Sequence, residues 1–309
     1  MTWRPAETMD VSVSGGTLRV ARLAGPGAMV LAVHGITATH LAWIEVAKAL
    51  PTVTLLAPDL RGRGRSAALP GPYGFEAHVA DLVALMDATD CERVVVVGHS
   101  MGGFVAVALA AWHPERVSRL VLVDGGLPLG RTDDPPPAGG IDAVLGPAAA
   151  RLAMTFPSRA AYRDFWRVHP AIGPMWTPSV QAYIDYDLVG KPPELRSSCS
   201  EEAMRVDGAQ VVDHAATSAT WGRVSVPTTF LRAPRGLLDA PPPLYPEESM
   251  ATWSRGTATV EARTVADTNH YSILLGAAGA GAVAAAITAA VDSQAVLADQ
   301  SSAPRDDSG

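Results

Sequence analysis

Ser100 lies in Gly98-His99-Ser100-Met101-Gly102, with a glycine two residues away on each side. A serine hydroxyl becomes a nucleophile when a base takes its proton and the backbone presents it clear of its neighbours. Small flanking residues let the chain bend sharply enough for that. The pattern alone is common by chance, so its setting carries the argument. RVVVVGHS is an unbroken apolar run that reads as a buried strand, and MGGFVAVALAAWHPERV reads as a helix stopped near Pro114. At a strand-to-helix turn, Ser100 meets the free amides and positive dipole end of the helix, where an oxyanion would develop. Strand, turn and helix together favour a nucleophile over a serine that only caps the helix.

A second segment fits the same chemistry. AMVLAVHG is another buried strand, and it runs into His34-Gly35-Ile36-Thr37. The glycine lets backbone approach a ligand closely. The Ile36 and Met101 amides would then form an oxyanion hole with two donors. The His34 side chain reads as a brace for this loop and not as a catalytic group.

The elements that must hold these residues follow an alternating pattern. MDVSVSGGTLRVARL has two β-rich runs around Gly15-Gly16, a hairpin signal. AMVLAVHG, TVTLLAPDL, RVVVVGHS and RLVLVDGG read as strands, with HLAWIEVAKAL, GFEAHVADLVALMDAT and MGGFVAVALAA as the helices between them. Strands alternating with helices imply parallel pairing through crossovers. After Gly126 the pattern changes. Residues 127–223 show Pro-rich turns and helical pieces without strong strands, and RTDDPPPAGG reads as a mobile loop. This stretch carries Met154, Phe156, Tyr162, Phe165, Trp166, Trp176, Tyr183 and Tyr186, which either line an apolar pocket or pack the stretch onto the core. The strand pattern resumes in VPTTFLRAP and ATVEARTV and ends in an Ala-rich helix. The expected organisation is a core of residues 1–126 and 224–297, a helical cap over 127–223, and a disordered polar tail over 298–309.

VHGITATHLAW, APDLRGRGRS, VVVVGHSMGG and DTNHY, in this order, resemble the α/β-hydrolase superfamily, in particular its cap-bearing bacterial esterase-like branch. The resemblance implies an α/β fold with a mostly parallel eight-stranded sheet flanked by helices and an inserted helical cap. It also implies the chain order nucleophile, acid, histidine. His270, in VADTNHYSILLG after the last strand, falls where the family keeps its general base. Such a base takes the Ser100 proton and returns it to the leaving group. His34 and His99 flank the site, while His40, His78, His113, His169 and His214 fall on helices, caps or turns. Two acids compete. Asp239 follows the strand after the cap, the usual family position, but sits three residues beyond the family register, which falls on Gly236. Asp124, ending RLVLVDGG, is a position some relatives use. Asp239 is the favoured choice, with Asp124 as its rival. Dehalogenase and epoxide hydrolase activities are disfavoured, because the resembling enzymes carry Asp where this chain has Ser100.

Composition bounds the remaining readings. The chain has 309 residues, 48% hydrophobic and 18% charged, with a net charge of −7. Arginine supplies all but two of the 24 basic residues, and these are scattered rather than clustered. A general nucleic-acid binder is therefore disfavoured. Cys91 and Cys199 form neither a disulfide framework nor a CxxC. No metal motif is present. Gly62-Arg63-Gly64-Arg65-Ser66-Ala67 fits a dinucleotide fingerprint, but no strand with an acidic end follows at the required distance. It reads as a structural turn headed by Asp59. Tyr271 to Val291 is free of formal charge, yet Ala and Gly dominate it, so a buried helix is expected and not a membrane span. MTWRPAETMD lacks the apolar run of a secretory leader, so a cytoplasmic location is expected. The combined expectation is a cofactor-free serine esterase, monomeric or homodimeric, acting on small, mainly apolar esters. Lactonase, C–C bond hydrolase, amidase and cofactor-free haloperoxidase remain open on the same fold, as does a slow-turnover ligand sensor.

Overall fold

The glycine pair at residues 15 and 16 turns the chain back on itself, with φ of 87° and 152°. The computed structural model describes residues 7–23, 25–130, 140–249 and 260–302. Its strands are β1 (Glu7–Val13), β2 (Gly16–Leu23), β3 (Met29–Val33), β4 (Thr54–Pro58), β5 (Val94–His99), β6 (Val117–Val123), β7 (Leu188–Lys191), β8 (Glu194–Ser197), β9 (Thr228–Arg232) and β10 (Val260–Thr264). Eight of them form one sheet in the order β1-β2-β4-β3-β5-β6-β9-β10. The hairpin β1–β2 and the β2–β4 pair are antiparallel, and every pairing from β4 to β10 is parallel. The parallel pairing is that expected from the alternating pattern, and the eight-stranded, mostly parallel sheet is the one that the resemblance implied.

The helices are α1 (Ile44–Lys48), α2 (Phe75–Ala88), α3 (Met101–Trp112), α4 (Gly140–Leu145), α5 (Pro147–Ala150), α6 (Arg159–Arg167), α7 (Pro178–Asp187), α8 (Glu201–Val211), α9 (His214–Trp221), α10 (Ser272–Leu275) and α11 (Ala277–Ser302). Every residue of β4 and β5 is buried, because helices cover both faces of the sheet. That double coverage explains why these strands read as continuous apolar runs. One layer holds α2 and α3, and the other holds α1, α10 and α11. The uncharged run from Tyr271 forms α10 and most of α11. Its small side chains let Val283, Ala286 and Ile287 sit fully against the sheet layer. Among the described residues, no helix is long and apolar enough to cross a membrane.

Between β6 and β9 the chain runs through α4 to α9. It also contains an element absent from the sequence expectation, the antiparallel hairpin β7–β8. Each of its strands has only four residues, too few to show alternation. The helices α8 and α9 pack on α3. Residues 131–139, which include most of the expected mobile loop, lie outside the described residues. At the far end, α11 continues to Ser302, so 298–302 of the expected tail are helical; 303–309 lie outside the described residues.

The turn that mimics a dinucleotide fingerprint encloses an anion of the protein itself. The buried Asp59 carboxylate accepts from the amides of His40 (2.9 Å) and Arg65 (2.8 Å), from His40 Nδ1 (2.8 Å) and from Tyr186 Oη (2.7 Å). A β-carbon on Gly64 would lie 2.2 Å from Asp59 Oδ2, so glycine is needed for the turn to close on that carboxylate.

The strand-to-helix turn after β5 is equally crowded: a β-carbon on Gly98 would lie 2.3 Å from the Gly102 carbonyl oxygen. Backbone cannot yield there as a flexible side chain would. Gly98→Ala is expected to lower unfolding free energy by about 2–3 kcal/mol, read from the urea midpoint at unchanged m-value. An unchanged midpoint would show that the turn relaxes freely.

Candidate active site

Ser100 has φ 54° and ψ −127°, a sparsely populated conformation for a residue with a side chain. Such strain costs on the order of 1–3 kcal/mol and persists only where the surroundings impose it. Here they do. The Ser100 amide donates to Val123 O at 3.0 Å, and Ser100 O accepts from the Gly103 amide at 2.9 Å. Two further glycines crowd it: a β-carbon on Gly125 would lie 2.2 Å from Ser100 O, and one on Gly35 would lie 3.2 Å from Ser100 Cβ. The Ser100 side chain therefore stands above the carboxyl end of β5, between the loops that follow β3 and β6.

The loop after β3 is fixed through its carbonyls. Gly35 O accepts from His34 Nδ1 at 2.8 Å and from the Ala38 amide at 3.1 Å. His34 Nε2 in turn accepts from the Leu60 amide at 2.9 Å, which assigns a neutral ring with its proton on Nδ1. Burial pushes this histidine down to about 4. Because the Gly35 carbonyl and the Ile36 N–H share one rigid peptide plane, holding the first aims the second. Neither the Ile36 nor the Met101 amide makes a hydrogen bond to protein among the described residues. Two donors thus remain available beside Ser100.

His270 is buried at the opposite wall, and its Nδ1 donates to Asp124 Oδ2 at 2.7 Å. The fully buried Asp124 also accepts from the Ala233 amide at 3.0 Å through Oδ1. The expectation that favoured Asp239 is corrected by this geometry. Asp239 is partly exposed and binds Arg235 Nε (2.6 Å) and Asn269 Nδ2 (3.0 Å), not the imidazole. The reason lies in the strand register. β5 and β6 pair His99 with Val123, so the residues that follow, Ser100 and Asp124, leave the sheet side by side. The chain after β9 instead folds into a separate turn, closed by the Gly236 amide donating to Ala240 O at 2.9 Å. Asp239 instead accepts from Asn269, the residue next to His270.

The sequence marks His99 only as a residue flanking the site. In the structure its Nε2 donates to the His270 carbonyl at 2.9 Å, tying the two loops together, while its Nδ1 is buried without a partner. Burial, with His270 adjacent, pushes His99 down to about 3. No local sequence signal pointed to this contact.

Ser100, Ile36, Leu145, Leu237 and His270 line two adjoining cavities. The first adds Thr37, Tyr183 and Tyr271; the second adds Ile141, Val144, Val211 and Leu244. Among the described residues, no lysine, arginine or glutamate lines either cavity, and Asp124 is the only aspartate that does. Of the aromatic residues between β6 and β9, Tyr183 faces the cavities, whereas Phe156, Tyr162, Phe165 and Trp166 pack edge-on against one another. The lining is therefore mainly aliphatic. Among the described residues, no group of three or more His, Cys, Asp or Glu is placed to hold a metal ion.

A family model described as the alpha/beta hydrolase fold matches residues 28–181. Lipase LipV of Mycobacterium tuberculosis is 47% identical over 100 residues, covering 32% of this chain and 38% of the lipase. The 2-hydroxy-6-oxo-2,4-heptadienoate hydrolase of Pseudomonas putida is 35% identical over 152 residues, covering 47% of this chain and 53% of that enzyme. The matches to curated relatives span 35% to 53% of the relatives' own lengths. Among solved structures, the thioesterase domain from the curacin biosynthetic pathway superposes with a TM-score of 0.71 at 21% identity, over 92% of this chain and 100% of that domain. At that identity the likeness is one of fold.

Two neutral, buried histidines make stability depend on pH. His34 and His99 ionise at about 4 and 3 in the folded chain, against about 6.5 when unfolded. As pH falls below about 6.5 the unfolded state binds protons first. Their contribution is therefore complete above that value and lost as pH drops through the folded values. Unfolding free energy is expected to fall by about 1.4 kcal/mol per pH unit for each histidine between about pH 6 and 4, measured by urea titration at stepped pH. A flat profile there would contradict the neutral assignment.

Proposed function

The chain belongs to the α/β-hydrolase superfamily, and on that premise we propose that it hydrolyses carboxylic esters through an acyl-enzyme on Ser100. The observation that carries this reading is the His270–Asp124 pair at 2.7 Å, lining the same cavity as a serine held in a strained turn. His270 Nε2 takes the Ser100 proton as Oγ adds to the ester carbonyl carbon. The Ile36 and Met101 amides stabilise the negative oxygen that results. Asp124 holds the imidazole tautomer and stabilises the imidazolium. The C–O bond of the ester then breaks and His270 passes its proton to the departing alkoxide. Water, deprotonated by His270, attacks the acyl carbon, and Ser100 leaves with the proton returned.

Two adjoining cavities that share Ser100 in their lining suit a substrate with an acyl part and an alcohol part. Their mainly aliphatic lining supports small apolar esters. The similar Pseudomonas enzyme is named for a carboxylate substrate, and a buried carboxylate would call for a cationic partner. Among the described residues, neither cavity supplies one. This, with the similarity to a lipase, favours neutral esters over that C–C bond chemistry.

Kinetics on p-nitrophenyl esters test the reading. Ser100→Ala is expected to abolish turnover, and Asp124→Asn to lower kcat by about 10³–10⁴-fold. Asp239→Asn is expected to lose less than about tenfold. A dead Asp239→Asn beside an active Asp124→Asn would reverse the assignment of the acid. A burst of one equivalent with no steady state would indicate a ligand sensor in place of an enzyme.

A further inference from the structure

Two buried guanidinium groups grip the loop that carries Ile36. Arg63 Nε donates to the Ile36 carbonyl oxygen at 2.9 Å, and Arg151 Nη2 donates to the Thr37 carbonyl oxygen at 2.9 Å. Both side chains are buried, with residue exposures of 0% and 2%. Each has a buried carboxylate of its own: Arg63 Nη1 lies 2.5 Å from Asp207 Oδ2, and Arg151 Nη2 lies 3.3 Å from Asp187 Oδ2. Asp187 ends α7 and Asp207 lies in α8, so both come from the stretch between β6 and β9. The other donors are also engaged. Arg63 Nη1 reaches Arg61 O at 2.9 Å, while Arg151 reaches Tyr162 Oη at 3.1 Å and the Ala148 carbonyl.

Burying charged pairs carries a desolvation cost that their mutual attraction rarely exceeds by much. What these pairs provide here is geometry. Three successive carbonyls, Gly35, Ile36 and Thr37, are held by three different side chains, His34, Arg63 and Arg151, so the peptide plane that carries the Ile36 N–H and the two that follow it are all fixed. Arg63 belongs to the turn after β4, whereas Arg151 belongs to the stretch between β6 and β9. The loop is therefore clamped between the sheet and that stretch.

We propose that Arg63 and Arg151 are positioning residues that aim the Ile36 amide at the developing oxyanion, and that Asp187 and Asp207 make this aim depend on the seating of the stretch between β6 and β9. The proposal rests on reading Ile36 as an oxyanion donor in ester hydrolysis. Loosening either clamp then costs transition-state stabilisation and leaves substrate binding largely intact.

Arg151→Lys is the direct test, because lysine keeps the charge facing Asp187 but lacks the planar fork that also serves Thr37 O. Asp187→Asn frees the guanidinium from the other side. Each is assayed on a p-nitrophenyl ester and on the matching thionoester, whose C=S sulfur is a poor hydrogen-bond acceptor. With folding checked by circular dichroism, oxoester kcat is expected to fall about 10–100-fold at a KM changed by less than about threefold. The thionoester rate is expected to fall far less, so the oxo-to-thiono ratio collapses. A folded variant with wild-type kcat, or with both substrates slowed equally, overturns the proposal. If Arg151→Lys does not fold, Arg63→Lys asks the same question at the Ile36 carbonyl. Ester turnover that survives Ser100→Ala defeats the reading of an acyl-enzyme on Ser100. Turnover that needs Ser100 but keeps its ratio in these variants defeats only the clamp.

Discussion

A residue with a β-carbon is held at φ 54° where β5 becomes α3, and the surrounding backbone is packed to keep it there. The loop after β3 approaches through Gly35 and the loop after β6 through Gly125, both within distances that a larger residue would violate. Strain of this kind is affordable because the sheet beneath is buried on both faces and cannot relax. The same bend that costs conformational energy frees the Met101 amide and lifts the Ser100 hydroxyl above the sheet edge. Remove the close approach, and the hydroxyl, the free amides and the neighbouring carboxylate lose their common origin.

Electrostatics around this turn follow from burial. His34 and His99 are held neutral, each fixing a carbonyl: His34 that of Gly35, His99 that of His270. The buried pairs Arg63 with Asp207 and Arg151 with Asp187 compensate each other and line neither cavity. Among the described residues, Asp124 is the buried carboxylate in contact with the proposed general base. A low-charge cavity of this sort strengthens the few oriented dipoles that face it.

The stretch between β6 and β9 contributes in two ways. Ile141, Val144, Leu145 and Val211 supply much of the aliphatic lining. Its aspartates and Arg151 tie it to the loop after β3. Its aromatic cluster mostly packs on itself, so the richness in Trp, Phe and Tyr speaks more to the coherence of that stretch than to substrate contact.

By itself, the sequence determined the strands that run as unbroken apolar segments, the turn at Ser100, the loop at Ile36 and the late histidine. These depend on short-range rules: side-chain period, glycine at tight bends, and what each residue type can do. The hairpin β7–β8 escaped because strands of four residues carry no periodicity. Only the tertiary structure decided between Asp124 and Asp239, since β5–β6 register sets which carboxylate emerges beside Ser100. The pairings of Arg63 with Asp207 and Arg151 with Asp187 were equally illegible, as was the contact from His99 to the His270 carbonyl. Each joins residues far apart in the chain, and a partner chosen by three-dimensional packing leaves no trace in the local order of residues.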